Sequence, residues 1–286
     1  MQSGCGRTIV DLPDCASLAA AITPDKEIVS EQGLWPWLSL HIEEATAAWL
    51  ELKPEPGSLA LLRLDTLEAL LARPNYSTAL QAQHILSQRE IARLHSFSHA
   101  KRRLEWLGGR LAAKRALQRF LSSSSCASAT LPADLVIDND RHGRPFVRMS
   151  CNNPEPCLSI SHSGRFAAAL AASKPCGLDL QEIVPKLQRL QARFVGSNEL
   201  ALGKNYEVLS WLGLLWSAKE AVKKCRYADQ ATFMERIQVE AHAGPATEPE
   251  GAVLFCRLLD KKEVVPVRVI LRQGYALALT WGEKHA

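Results

Sequence analysis

The sequence predicts an α+β protein, and three observations support that class. Two long stretches, residues 101–121 and 206–227, are strongly helical in pattern. Short apolar or alternating runs bounded by turn residues predict strands at 157–161, 166–172 and 176–182. These helices and strands occur in mixed blocks without a regular strand–helix–strand repeat, which favours α+β over α/β.

The other predicted elements follow from local signals. Ser87 is expected to cap a helix over 87–97, with Glu90 closing a capping box. Residues 53–57 form a Pro/Gly cluster, which predicts a boundary after an N-terminal extension, residues 1–57. The remaining predictions are a strand at 58–65, turns at 142–145 and 163–165, helices at 185–193 and 197–202, loops at 122–130 and 241–251, and strands at 252–259, 264–271 and 275–281.

Composition limits the class of protein. The 286 residues suffice for one large or two ordinary domains, and 47% hydrophobic with 22% charged residues is a normal globular balance. A net charge of +4 fits an anionic partner but is far from that of a dedicated nucleic-acid binder. Eight cysteines without a Cys-x-x-Cys pair argue against zinc and fit thiols in a reducing cytoplasm. No leader and no apolar run near twenty residues is seen, so a cytoplasmic protein outside the membrane is expected.

Residues 216–224 carry the first candidate chemistry. Drawn as a helix, they place Trp216, Glu220 and Lys224 on one stripe, opposite an apolar stripe. A carboxylate beside fixed lysines is what a Mg²⁺–phosphate site requires. The alternative is an ordinary Glu–Lys pair on a solvated helix.

The predicted strand at 176–182 supplies the second candidate. Strand alternation places Asp179 and Gln181 on one face, opposite the leucines, with Gly177 leaving room for a ligand. Two acids, Asp179 and Glu220, with the amide oxygen of Gln181 fit the ligand preference of Mg²⁺. A strand with an ordinary polar outer face is the alternative.

Ser161, His162 and Ser163 form a third candidate. A serine hydrolase is disfavoured, because no Gly-x-Ser-x-Gly elbow is present and adjacent strand residues point to opposite faces. Hydroxyls around His162, followed by Gly and Arg, instead suit an anion, although a structural histidine is also common at a strand end. Lys101 and Arg144 could join His162 in binding a terminal phosphate, or be solvated surface charges.

The chain also contains a short internal echo. Residues 113–116 (AKRA) resemble 218–221 (AKEA), each on a predicted helix with strands downstream. Two similar α+β halves would create a cleft between them, where ligands commonly bind, although four small residues can also match by chance.

The order and spacing of three motifs resemble those of the 4′-phosphopantetheinyl transferases of the Sfp type. The motifs are 161–164 (SHSG), 177–180 (GLDL) and 216–220 (WSAKE), the last followed by Lys224. Residues 143–145 (GRP) are similar to that family's Gly-Lys-Pro turn, and 102–117 to its first long helix. The resemblance covers about residues 58–286.

The resemblance implies two α+β subdomains related by pseudo-twofold symmetry, 58–175 and 176–286, with coenzyme A and Mg²⁺ bound between them. The implied reaction moves the 4′-phosphopantetheine arm to a serine of an apo acyl or peptidyl carrier protein and releases 3′,5′-ADP. A monomer is expected, without nucleic acid. The implied catalytic residues are Glu220, Lys224 and Asp179; the implied metal ligands are Asp179, Gln181 and Glu220; the implied coenzyme A contacts are Lys101, Arg144, Ser161, His162 and Lys224.

One departure from the family pattern keeps an alternative open. Many members carry a second acid two residues after the strand aspartate, where this chain has Gln181. A non-catalytic relative that binds coenzyme A or a carrier protein is therefore the second hypothesis. An RNA-binding protein using its basic clusters is a third, which the lack of interleaved aromatics disfavours.

Overall fold

The computed structural model describes residues 57–72, 85–122, 131–148, 155–227, 236–246 and 251–282. The predicted extension 1–57 lies outside this part except for its last residue, and so does the predicted loop 122–130 except for Ser122. Among the helices described, none is long and apolar enough to cross a membrane.

The first half of the described chain forms a five-stranded antiparallel sheet that packs against helices. Its strands are β1 (Gly57–Arg63), β2 (Val136–Asn139), β3 (Pro145–Arg148), β4 (Cys157–Ser163) and β5 (Phe166–Ala172). Its helices are α1 (Leu64–Leu71), α2 (Gln88–His95) and α3 (Ala100–Ser122). The alanines, leucines and long charged residues of α3 have high helix propensity, which suits a helix of 23 residues.

The second half forms another five-stranded antiparallel sheet with its own helices. Its strands are β6 (Cys176–Glu182), β7 (Ile237–Ala243), β8 (Ala252–Leu258), β9 (Glu263–Arg272) and β10 (Tyr275–Trp281). Its helices are α4 (Lys186–Leu190), α5 (Glu199–Leu202) and α6 (Val208–Arg226). The α+β prediction is therefore confirmed.

The two described sheets have the same strand order relative to the chain. The first runs β1-β5-β4-β3-β2 and the second β6-β10-β9-β8-β7. The β1–β5 and β6–β10 ladders also share a register, because Arg63 pairs with Phe166 as Glu182 pairs with Tyr275. Counting back three residues from Arg63 and from Glu182, Ala60 corresponds to Asp179.

Hydrophobic packing fixes how the sheets and helices lie. One core cluster lies between the first sheet and α3, a second between the second sheet and α6, and a third between the two sheets, formed mainly by β1 and β5 of the first and β6 and β10 of the second. In the third cluster, Leu59 and Leu61 of β1 pack with Leu178 and Leu180 of β6. The remaining face of β6 is thus left for Asp179, which sits next to α6.

Each half also contains a buried lysine–glutamate pair. Lys114 of α3 lies 2.8 Å from Glu90 of α2, and Lys219 of α6 lies 2.8 Å from Glu199 of α5. All four side chains are at most 3% exposed. Glu90 and Glu199 further accept hydrogen bonds from β2 and β7, respectively. The two lysines belong to the echoed tetrapeptides, so those segments occupy corresponding places in the two halves.

Most predicted elements match the structure within a few residues. The Ser87–Glu90 capping box is confirmed, and the strands at 166–172 and 176–182 have the predicted bounds. The predicted loop 241–251 is wrong at its start, because β7 continues to Ala243. A register shift between Val239 and Ala241 breaks the alternation that would have marked this strand.

Candidate active site

Asp179 is the most buried carboxylate of the candidate site. Its side chain is 8% exposed, and two donors converge on one oxygen: Lys224 Nζ at 2.7 Å and Ser161 Oγ at 2.8 Å from Oδ1. The other oxygen, Oδ2, is buried and has no hydrogen-bond partner among the described residues. An unpaired buried carboxylate oxygen is costly, so this atom is suited to accept a positively charged group.

A row of serines joins the two sheets at this point. Strand β6 is an edge strand of its sheet, so alternate backbone N–H groups face away from β10. The side chains of β4 that point toward this edge are all hydroxyls. Their Oγ atoms accept from the backbone of β6 in three bonds: Leu178 N to Ser159 at 2.9 Å, Leu180 N to Ser161 at 3.1 Å and Glu182 N to Ser163 at 2.9 Å.

Helix α6 approaches β6 closely because Gly177 has no side chain. A Cβ on Gly177 would lie 1.8 Å from the carbonyl oxygen of Ala221. This close contact lets Lys224 reach across to the carbonyl oxygen of Leu178 at 2.9 Å as well as to Asp179. The expected stripes are observed, since Trp216, Glu220 and Lys224 are half-buried while Ala218, Ala221, Val222 and Cys225 are buried.

Glu220, Lys224 and Arg144 face one cavity of about 300 Å³. Glu220 is 18% exposed and pairs with Lys223 Nζ at 3.2 Å. The Gly143–Pro145 turn, in which Gly143 has φ +84°, carries Arg144 into the lining of the same cavity. The cavity therefore holds one carboxylate among several cations, which is a suitable place for a phosphate-bearing molecule.

His162 faces a second, larger cavity of about 760 Å³ that shares Gly143, Pro145 and Ile160 with the first. Its wall contains four arginines, two aromatic rings and three carboxylates, those of Glu90, Glu105 and Asp138. The basic and aromatic residues are Arg89, Arg93, Arg102, Arg110, Phe97 and Trp106. Burial lowers the pKa of His162, while Glu105, whose Oε2 lies 3.8 Å from His162 Nδ1, opposes that shift.

Four predicted residues line neither of these cavities: Lys101, Ser161, Asp179 and Gln181. Lys101 is 83% exposed, lies 3.9 Å from Glu105 and lines neither of these cavities. Its neighbour Arg102 faces the larger cavity instead, and spacing could have identified it, because 102, 105, 106 and 109 share one helical face. Gln181 donates its amide to the carbonyl oxygen of Glu182 at 2.6 Å and also lines neither cavity.

The residues present fit a divalent cation. Within the part of the chain that the structure describes, no three His, Cys, Asp or Glu side chains form a ready metal cluster. Mg²⁺ does not need one, because it usually binds one or two carboxylates together with waters and substrate phosphates. The unpartnered Oδ2 of Asp179 is suited to that role, with Glu220 one helical turn from Lys224.

Comparisons with known proteins identify the class. No family model matches the chain. A holo-[acyl-carrier-protein] synthase of Staphylococcus carnosus is 34% identical over 87 residues, which span 30% of this chain and 72% of that protein. Proteins of the same name from Streptococcus equi subsp. zooepidemicus (34% over 88 residues, 31% and 72%) and Anoxybacillus flavithermus (32% over 87 residues, 30% and 71%) match similarly.

These relatives define an enzyme of the transferase class. The chain belongs to the phosphopantetheinyl transferase family that includes the holo-[acyl-carrier-protein] synthases. The predicted family and the prediction of an enzyme are confirmed.

Proposed function

We propose that this chain transfers the 4′-phosphopantetheine arm of coenzyme A to a serine hydroxyl of an apo acyl or peptidyl carrier protein, releasing 3′,5′-ADP. Family membership supports the reaction class. The structural observation that carries the proposal is the buried Asp179 carboxylate, with one oxygen bonded to Lys224 and the other without a partner among the described residues. Such an arrangement suits a charged, phosphate-bearing substrate and its cation.

Asp179 and Glu220 would hold Mg²⁺, with Gln181 as a neutral ligand or a partner of bound water. When bound, the ion would neutralise the pyrophosphate charge that develops as the bond to phosphorus breaks. The amide nitrogen of Gln181 donates to the carbonyl oxygen of Glu182, so its Oε1 would be the atom that binds the ion or the water.

The cations of the two cavities would bind the anionic parts of coenzyme A. Arg102 and His162 would bind a terminal phosphate in the larger cavity, and Arg144 and Lys224 the pyrophosphate in the smaller one. Lys101, on the exposed side of the same helix, stays a predicted contact. Glu220, directly or through a water, would take the proton of the acceptor serine, whose hydroxyl is a weak nucleophile without a base.

The shared strand order and the paired buried lysines support two pseudo-symmetric subdomains, 58–175 and 176–286. We further propose a cytoplasmic monomer. Three buried cysteines fit a reducing compartment, since burial raises the pKa of Cys176 well above its ordinary range, that of Cys225 to about 11 and that of Cys256 to about 12.

Mass spectrometry tests the proposal directly. The full chain is incubated with coenzyme A, Mg²⁺ and apo carrier proteins of fatty-acid, polyketide and peptide synthetases. The expected result is a carrier whose mass rises by one phosphopantetheine arm, together with 3′,5′-ADP. If no carrier gains mass while coenzyme A still binds, the chain is a binding relative and the proposed reaction is wrong.

A further inference from the structure

The hydroxyl of Ser161 makes two hydrogen bonds, one as acceptor and one as donor. It accepts from the backbone N–H of Leu180 at 3.1 Å and donates to Asp179 Oδ1 at 2.8 Å. A serine hydroxyl has a single proton to donate, so this proton is used on the carboxylate. Ser161 is 6% exposed, which keeps water from competing for either bond.

Ser161 thereby ties the Asp179 carboxylate to the backbone beside it. Leu180 follows Asp179 in β6, so one hydroxyl links the carboxylate to a fixed point on its own strand. Lys224 adds a second donor to the same oxygen at 2.7 Å. With two donors on Oδ1, only Oδ2 keeps its full capacity to bind another group.

We propose that Ser161 is a positioning residue, which holds the Asp179 carboxylate so that Oδ2 alone is presented to the divalent cation. Ser161 does not contact coenzyme A in this assignment. The inference rests on the proposed metal site, and it gives the sequence-predicted cofactor contact at Ser161 a different role. Hydrogen bonds that orient a metal ligand typically affect metal affinity by roughly 10- to 100-fold.

Ser163 provides a matched control on the same strand. Its Oγ accepts from the backbone N–H of Glu182 at 2.9 Å, the same kind of bond that Ser161 makes to Leu180. The carboxylate bond to Asp179 is made by Ser161, two residues earlier. Replacing either serine by alanine therefore removes an equivalent bond between the sheets, and the Ser161 variant removes the carboxylate bond in addition.

The experiment measures Mn²⁺ affinity of the full chain, with Mn²⁺ as the probe ion and without coenzyme A. Wild type, Ser161→Ala, Ser163→Ala and Asp179→Ala are titrated and followed by electron paramagnetic resonance. Ser161→Ala should weaken Mn²⁺ binding by roughly 10-fold or more, and Ser163→Ala should leave it unchanged. Ser161→Cys, which is close in size and a poor donor, should weaken binding too, and guards against a folding defect in the alanine variant.

Two further readouts separate positioning from other roles. Coenzyme A affinity measured in EDTA should be the same for Ser161→Ala and wild type, and the two serine-to-alanine variants should unfold in urea at similar midpoints. The inference is overturned if Ser161→Ala binds Mn²⁺ as tightly as Ser163→Ala, or if it loses coenzyme A affinity in EDTA. If Asp179→Ala leaves Mn²⁺ binding intact, the proposed metal site itself is wrong, and the role of Ser161 is wrong with it.

Discussion

The two halves of the chain differ most where their folds agree best. Corresponding positions on β1 and β6 are occupied by Ala60 and Asp179, and two residues later by Leu62 and Gln181. Ala60 and Leu62 are buried in the core beneath α3. At these positions the first half therefore has apolar side chains, whereas the second half has a carboxylate and an amide.

The long helices repeat this contrast. Counting from the buried lysines Lys114 and Lys219, the next residue is Arg115 in α3 and Glu220 in α6. On β4 and β9 the contrast is reversed, because His162 of the first half corresponds in register to Leu271 of the second. The proposed site therefore takes different elements from each half: the carboxylates come from the second half, and the serines, His162 and the arginine-lined cavity from the first.

The largest expected effect is on stability, and it concerns the buried lysine–glutamate pair that both halves contain. Lys114→Met and Lys219→Met should each lower the free energy of unfolding by about 3–5 kcal/mol, because each leaves a buried glutamate without its cation. Urea unfolding measures both, with the exposed Lys204→Met as a control that should change stability by less than about 0.5 kcal/mol. If one lysine variant loses much of its free energy of unfolding and the other loses almost none, the two buried pairs are not structurally equivalent.

The next largest effect is on the rate of carrier modification, and it concerns Glu220, which has no acidic counterpart in the first half. Glu220→Gln should reduce the rate of carrier modification by roughly 10²–10³-fold, because a charge placed for the reaction is removed. Arg115→Gln, at the corresponding position of α3, should leave that rate unchanged. Single-turnover assays with saturating coenzyme A compare the two. An active Glu220→Gln enzyme, with a fold verified by circular dichroism, would contradict the assignment of Glu220.

The smallest effect is the pH dependence at His162. Burial lowers the pKa of His162; among the nearby charges Glu105 opposes the shift, and Lys224, Arg102 and Lys101 add to it. The unfolded chain therefore takes up this proton at higher pH than the folded chain, and stability present above about pH 6.5 is lost as the pH falls through the folded-state pKa.

This dependence is measured by urea unfolding at pH 7.5 and 5.5. Wild type should lose slightly more stability on acidification than His162→Gln, whose side chain does not titrate. The side chain is 43% exposed, so solvent screening keeps the difference small. An equal or larger loss in His162→Gln would show that burial does not lower the pKa of His162.

Local pattern predicted much of this arrangement. The alternation of Gly177, Asp179 and Gln181 and the stripe of Trp216, Glu220 and Lys224 were readable, because periodicities of 2 and 3.6 determine which side chains share a face. The residue of the 101–103 basic cluster that faces the cavity was not identified, although the helical spacing of Arg102 with Trp106 contained that information.

Tertiary contacts were beyond reach of the same reasoning. The alternate serines of β4 are visible in the sequence, but their partner is the exposed edge of β6, and the sequence does not say which edge meets which face. The buried pairs of Lys114 and Lys219 were missed for a similar reason, since each glutamate lies on a separate helix. Strand β7 was missed because its bulge interrupts the alternation.

The central claim is that a single divalent ion binds between Asp179 of β6 and Glu220 of α6. Crystals of the full chain grown with coenzyme A and Mn²⁺ test it through anomalous scattering at the manganese edge. The account predicts one strong peak within coordination distance of Asp179 Oδ2 and of the Glu220 carboxylate, with none near Ala60 or Arg115. A peak bonded to neither carboxylate, or to only one while coenzyme A occupies the cleft, would contradict it.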